Sequence, residues 1–133
     1  MTQITNIMLV DDNETDNFIH KRIIELTAFG QNIIIKNSGK SALEYLKSNA
    51  TDFSKLPDVI FLDINMPIVD GFVFLFEFDS FSEELKKKCK IVILSSSDSK
   101  RDIDRIVDNE HVYHFITKPL SEDALEEVKK ILF

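Results

Sequence analysis

Five short runs of apolar, largely β-branched residues punctuate this chain, at residues 7–10, 33–35, 59–62, 91–94 and 112–116. Each is strand-length and nearly continuous, which is how a strand covered on both faces reads. Helix-length segments lie between them. Residues 14–29 carry Ile19, Ile23 and Leu26 at helical spacing, and Gly30 supplies a stop. Residues 38–48 carry Ala42, Leu43 and Leu46, and residues 101–109 carry Ile103, Ile106 and Val107. Residues 121–132 open on Ser121 as N-cap with Glu122 and Asp123 in the first turn, followed by Leu125, Val128 and Leu132. Parallel strands require crossovers. The alternation therefore predicts an α/β domain built on a doubly wound, five-stranded parallel sheet with right-handed connections.

One inter-strand segment, 71–81, reads two ways. Phe72, Phe74, Phe76 and Phe78 alternate with a period of two, as in a strand. Strand–helix alternation elsewhere favours a helix. Residues 49–56 read as a polar loop ahead of Pro57, longer than a minimal connection.

A chain of 133 residues is enough for one domain, taken here as 1–133 with no output domain. Its 16 Lys and Arg stand against 23 Asp and Glu, a net charge of -7, and no basic run tracks a phosphate backbone. Direct nucleic-acid binding is therefore not expected. Cys89 is the lone cysteine, so no internal disulfide can form and a reducing compartment fits. Met1-Thr2-Gln3-Ile4 does not open a signal peptide, and no apolar stretch approaches the roughly 20 residues that span a bilayer. A cytoplasmic protein without membrane insertion is expected.

In a doubly wound sheet, chemistry collects at the carboxyl ends of the strands. The first strand ends in Asp11-Asp12, the third in Asp63 and the fourth in Ser95, and the fifth is followed by Lys118-Pro119. The second ends in Asn37, with no ionisable group, as suits an edge strand. Singly, such residues are ordinary helix caps and turns. Together they place three carboxylates at one edge, where they would repel without a cation. That pattern points to a hard, oxygen-ligated ion such as Mg²⁺.

With these residues in place, the chain resembles the receiver domains of two-component response regulators. The resemblance rests on Leu9-Val10-Asp11-Asp12, on Leu62-Asp63-Ile64-Asn65-Met66-Pro67 with Asp70-Gly71, on Ile93-Leu94-Ser95-Ser96 and on Thr117-Lys118-Pro119. It covers essentially the whole chain and is similar in style to stand-alone receivers of the chemotaxis and phosphorelay type. It implies a flavodoxin-like (βα)5 fold with strand order 2-1-3-4-5. It also implies a phosphoacceptor signalling protein that catalyses only its own phosphorylation and dephosphorylation, fed by a sensor histidine kinase or a histidine phosphotransfer protein.

The roles implied are specific. Asp63 is the phosphoacceptor. Asp11, Asp12, Asp63 and the backbone carbonyl of Asn65 hold Mg²⁺ or Mn²⁺. Lys118 and Ser96 bind the phosphoryl group, and the bond before Pro119 is cis, aiming Lys118 inward. Ser95 donates its hydroxyl to the phosphoryl group after transfer, and Phe115 moves into the space that Ser95 vacates. The aromatic at 115 is Phe where the family has Tyr, so it signals by packing alone. Two further side chains, Asn65 and Ser97, are implied to set the lifetime of the phosphorylated state.

Rival readings are weaker. Gly39-Lys40-Ser41 resembles the tail of a P-loop, but Ile34 stands where that loop needs glycine. A phosphatase of the haloacid dehalogenase type would use Asp11 as nucleophile, yet it needs an acid where Asn13 stands and an acidic pair after the lysine, where Pro119-Leu120 follow. A degenerate receiver serving only as an interaction module is the third alternative. His20, His111 and His114 have no ligand spacing with one another, and Cys89 reads as a packing or surface residue.

Two apolar features remain. Ile19, Ile23 and Leu26 form the expected sheet-facing stripe of the first helix, with Phe18 about a quarter turn away. Phe18 is either a core-margin residue or an anchor for a histidine-bearing helical bundle. If 71–81 is helical, Phe74, Leu75, Phe78 and Phe81 share one face. Phe72, Val73 and Phe76 then lie on the polar side. That patch points to a downstream target or a homodimer, against a true strand or a helix sheltered by the 49–56 loop.

Overall fold

The computed structural model describes residues 4–66, 70–96 and 100–133. Its strands are β1 (Asn6–Val10), β2 (Asn32–Lys36), β3 (Val59–Leu62), β4 (Lys90–Ser95) and β5 (Val112–Thr117). Its helices are α1 (Glu14–Leu26), α2 (Gly39–Ser48), α3 (Gly71–Phe78), α4 (Glu83–Lys88), α5 (Lys100–Val107) and α6 (Glu122–Leu132). All strands pair in parallel in the order β2-β1-β3-β4-β5, as the alternation and the resemblance led one to expect.

Successive strand residues point to opposite faces, and each face owns a core. Met8, Val10, Ile60, Leu62, Ile91 and Ile93 pack with Ala42, Leu43 and Leu46 of α2, Phe74 and Phe78 of α3, Leu85 of α4 and Ile106 of α5. Ile7, Leu9, Val59, Phe61, Val92 and Leu94 pack with Ile24 of α1 and with Leu125 and Val128 of α6. The central strands β1 and β3 are buried along their whole length, whereas edge strand β2 is only partly covered.

The first helix departs from expectation in two ways. Its buried stripe is Asn17, His20 and Ile24; Ile19 and Leu26 face solvent and Ile23 is half-buried. The polar residues win because Asn17 finds partners inside: its amide donates to the Asp11 carbonyl at 2.9 Å and to Asn37 Oδ1 at 3.2 Å. The helix also stops at Leu26, ahead of Gly30. The left-handed residue is Ala28, with φ 51°, and Thr27 Oγ1 donates to the Ile23 carbonyl at 2.8 Å. Gly30 serves a different need, because a Cβ there would fall 2.4 Å from Ile7 Cδ1.

Segment 71–81 is helical through Phe78, capped by Asp70, whose carboxylate accepts from the Val73 N–H at 3.0 Å. Phe74, Leu75 and Phe78 are buried and Phe81 half-buried, on the face the helical reading assigned them. Phe72 is a correction. It packs partly against the core beneath Arg105, leaving Val73 and Phe76 as the exposed pair.

Helix α4 was not anticipated. It carries one buried apolar residue, Leu85, and rests on its Ser82 cap, two acids in the first turn and three lysines in the last. The 49–56 loop is tied down rather than free. Leu56 is fully buried, Tyr45 donates its hydroxyl to the Lys55 carbonyl at 2.7 Å, and the Asn6 amide donates to Ser54 O at 2.9 Å. The side chain of Val107, expected on the buried stripe of α5, lies outside the described residues, as do Pro67 and Ser97.

Candidate functional site at the carboxyl edge of the sheet

Asp11 and Asp63 follow directly on β1 and β3, adjacent central strands, so parallel pairing sets them side by side. Both are buried, 4% and 6% exposed, whereas Asp12 stands at the exposed rim. One oxygen from each of the three lies within 4.8 Å of the others. Ligands of an octahedral Mg²⁺ at roughly 2.0–2.1 Å are separated by up to about 4.2 Å. Three carboxylate oxygens gathered this closely can converge on one ion, and an all-oxygen set suits a hard cation.

Lys118 enters from beyond β5. Its peptide bond to Pro119 is cis, and its backbone N–H donates to the Ser95 carbonyl at 2.9 Å, anchoring it to the end of β4. Its ammonium donates to Asp11 Oδ2 at 2.7 Å, Asp16 Oδ2 at 2.8 Å and Asp63 Oδ2 at 3.2 Å. Burial pulls the pKa of the lysine down, but the carboxylates outweigh it and hold it above the ordinary value. Burial pushes the Asp63 carboxyl up, and Asp11 adds to the effect; the Asn65 N–H and the Lys118 ammonium pull the other way without cancelling it.

The Asn65 N–H donates to Asp63 Oδ1 at 3.0 Å, and the Asn65 amide donates to Ser95 Oγ at 3.4 Å. Ser95 is wholly buried at the end of β4, and Ser96 is exposed beside it. Phe115 sits on β5 opposite Ile93 and packs half-buried against the core shared by α2, α3 and α5. Strand alternation puts Ser95 on that same face of the neighbouring strand.

Asp16 escaped the sequence reading. The signal was available: Asn13 is an N-cap residue whose Oδ1 accepts from the Asp16 N–H at 3.0 Å. Three residues after a cap, a side chain in the first turn of a helix can reach back toward the chain that precedes it. His20, one turn further on, is buried. Burial first, then the Lys118 charge, lowers its pKa and favours the neutral ring.

A second convergence, Asp79, Glu110 and His111, lies elsewhere. The His111 ring sits 2.7 Å from Asp79 Oδ1 and packs edge-on against Phe78. Lys86 already places its ammonium 3.9 Å from that same carboxylate, so these groups are explained as an ion-pair cluster joining the end of α3 to the start of β5.

Comparison with known proteins agrees with this geometry. The family model described as response regulator receiver domain matches residues 7–130. The probable methanogenesis regulatory protein FilR2 of Methanothrix harundinacea is 35% identical over 126 residues, covering 94% of this chain and 79% of its own length. The crystal structure of a two-component response regulator from Cytophaga hutchinsonii superposes with a TM-score of 0.89 at 29% identity, covering 97% of this chain and 96% of that one. The Mn²⁺-bound form of response regulator Rcp1 superposes with a TM-score of 0.73 at 26% identity, covering 95% and 90%. The chain belongs to the response regulator receiver domain family of two-component signalling.

Proposed function

We propose that this chain is a phosphoacceptor switch in which Asp63 takes a phosphoryl group from a phosphohistidine on a sensor kinase or phosphotransfer protein. The observation that carries the reading is the pairing of buried Asp63 with buried Asp11 under one lysine at the end of the central strands. A carboxylate oxygen of Asp63 attacks phosphorus, the P–N bond breaks, and its electron pair returns to the imidazole of the donor. Asp11, Asp12, Asp63 and the Asn65 carbonyl would hold Mg²⁺ or Mn²⁺, and the Mn²⁺-bound Rcp1 structure supports that choice of ion. Bound there, the ion neutralises charge on the phosphoryl oxygens.

Lys118 offers its ammonium to a phosphoryl oxygen, with Ser96 at the rim. Ser95 turns its hydroxyl toward the new group, and Phe115 follows into the space left, altering a surface read by a downstream protein. The chain catalyses only this modification and its reversal, and it works in the cytoplasm.

The test is acetyl phosphate with Mg²⁺. One phosphoryl group per chain is expected on Asp63, and none in Asp63→Asn. Undiminished labelling of that variant would remove Asp63 from its role. Sustained turnover would mark a phosphatase, and no incorporation at all a pure interaction module.

A further inference from the structure

Three carboxylates share the Lys118 ammonium, and two of them have other duties. Asp11 and Asp63 belong to the oxygen set described above, and Asp63 is the residue read as taking the phosphoryl group. Asp16 stands outside that set, yet its contact, 2.8 Å, is shorter than the one to Asp63, 3.2 Å. An ammonium has three N–H donors, and all three are engaged.

The position of Asp16 is fixed by a closed ring of hydrogen bonds. The Asn13 N–H donates to Asp11 Oδ1 at 2.9 Å, and the Asp16 N–H donates to Asn13 Oδ1 at 3.0 Å. Lys118 then joins Asp16 Oδ2 to Asp11 Oδ2, at 2.8 and 2.7 Å. The ring ties the first turn of α1, the end of β1 and the loop after β5 into one unit. Its lysine side chain is 11% exposed and its Asp16 side chain 33%.

We propose that Asp16 is a positioning residue for phosphoryl transfer. It holds the Lys118 ammonium at the pocket when the contacts to Asp11 and Asp63 give way to ion and phosphoryl group. The proposal rests on the function proposed above. A lysine is a flexible point charge. Without a partner that takes no part in ion or phosphoryl binding, it would leave the pocket at the step where its charge is needed. Asp16 fills that place because it offers a close acceptor oxygen braced by a helix cap.

The experiment compares wild type, Asp16→Ala and Asp16→Asn. Asparagine keeps the acceptor oxygen and the shape, and alanine removes both. Asp16→Ala should lower the phosphorylation rate with acetyl phosphate at least about tenfold, within the roughly hundredfold that a misplaced group can cost, and Asp16→Asn should recover most of it. Mg²⁺ affinity, followed by NMR titration, should change by less than about threefold in either, because Asp16 is a partly exposed charge outside the oxygen set.

A second readout does not depend on phosphorylation. The ¹⁵N-resolved ammonium signal of Lys118 should be protected from exchange in wild type and Asp16→Asn and broadened in Asp16→Ala. A wild-type rate in Asp16→Ala would overturn the proposal. So would equal slowing of both variants, or a protected ammonium in Asp16→Ala. If wild type accepts no phosphoryl group, the proposed function fails instead, and the ammonium signal still decides whether Asp16 holds Lys118.

Discussion

The guanidinium of Arg105, on α5, lies 3.9 Å from the centre of the Phe72 ring, on α3. Phe72 in turn packs against the core that also receives Phe115. The contact thus links α3 to α5 over the core against which the aromatic expected to move with the switch also packs.

Arg105→Ala should cost about 0.5–1 kcal/mol of stability, the usual worth of a cation over an exposed aromatic face. Urea unfolding of the two proteins measures it. Unchanged stability would mean that Phe72 is held by the core alone.

A second prediction concerns acid. Burial opposes the charge on Asp58, but the Lys88 ammonium and the N–H groups of Thr5 and Asn6 outweigh it and hold the carboxyl below its ordinary value of 3.8. A depressed folded-state pKa contributes stability that is fully present above the unfolded value and is lost as pH falls through the folded one. Asp58→Asn should therefore be less stable than wild type at neutrality, and the gap should shrink only below about pH 3.8. Urea midpoints across that range check it. A gap that does not vary with pH would assign the loss to shape rather than charge.

These contacts mark where the sequence was legible. Strand positions followed from apolar runs such as Val59-Ile60-Phe61-Leu62, and the doubly wound parallel sheet from their alternation with helices, while the strand order came from the resemblance. The strand-end residues Asp11, Asp63, Ser95 and Lys118 followed from that topology and from the resemblance. Helix faces were less legible. Asn17 is buried through its hydrogen bonds and His20 shares its stripe as a neutral ring, which hydrophobic periodicity does not register, so Ile19 and Leu26 were placed inward when they face solvent. Asp16 was missed for the same reason. Its meaning comes from a lysine 102 residues away.

Phe18 is 70% exposed, which removes the core-margin reading. It lies on α1, the helix whose first turn carries Asp16. Phe18→Ala should leave stability within about 0.5 kcal/mol of wild type, as expected for an exposed site. It should also leave phosphorylation by acetyl phosphate untouched while slowing transfer from a histidine donor protein. Equal slowing with both donors would show that Phe18 supports the pocket rather than the docking.

Val73 and Phe76, 42% and 80% exposed, lie one turn apart on α3 and form what remains of the apolar patch. A single exposed apolar residue needs no explanation. This pair stands out because the helix below them is already fully served: Phe74, Leu75 and Phe78 fill the core, and Phe72 is covered by Arg105. Neither Val73 nor Phe76 is needed to hold α3 in place. Each large side chain buried against a partner contributes on the order of 1.5–3 kcal/mol before association entropy is subtracted. The double change Val73→Glu, Phe76→Lys should leave the melting temperature and acetyl phosphate labelling unchanged. Sedimentation velocity of the phosphorylated protein, alone and with its target, should show weaker association. A sharp fall in melting temperature would return the pair to the core, and unchanged association would leave α3 outside the output surface.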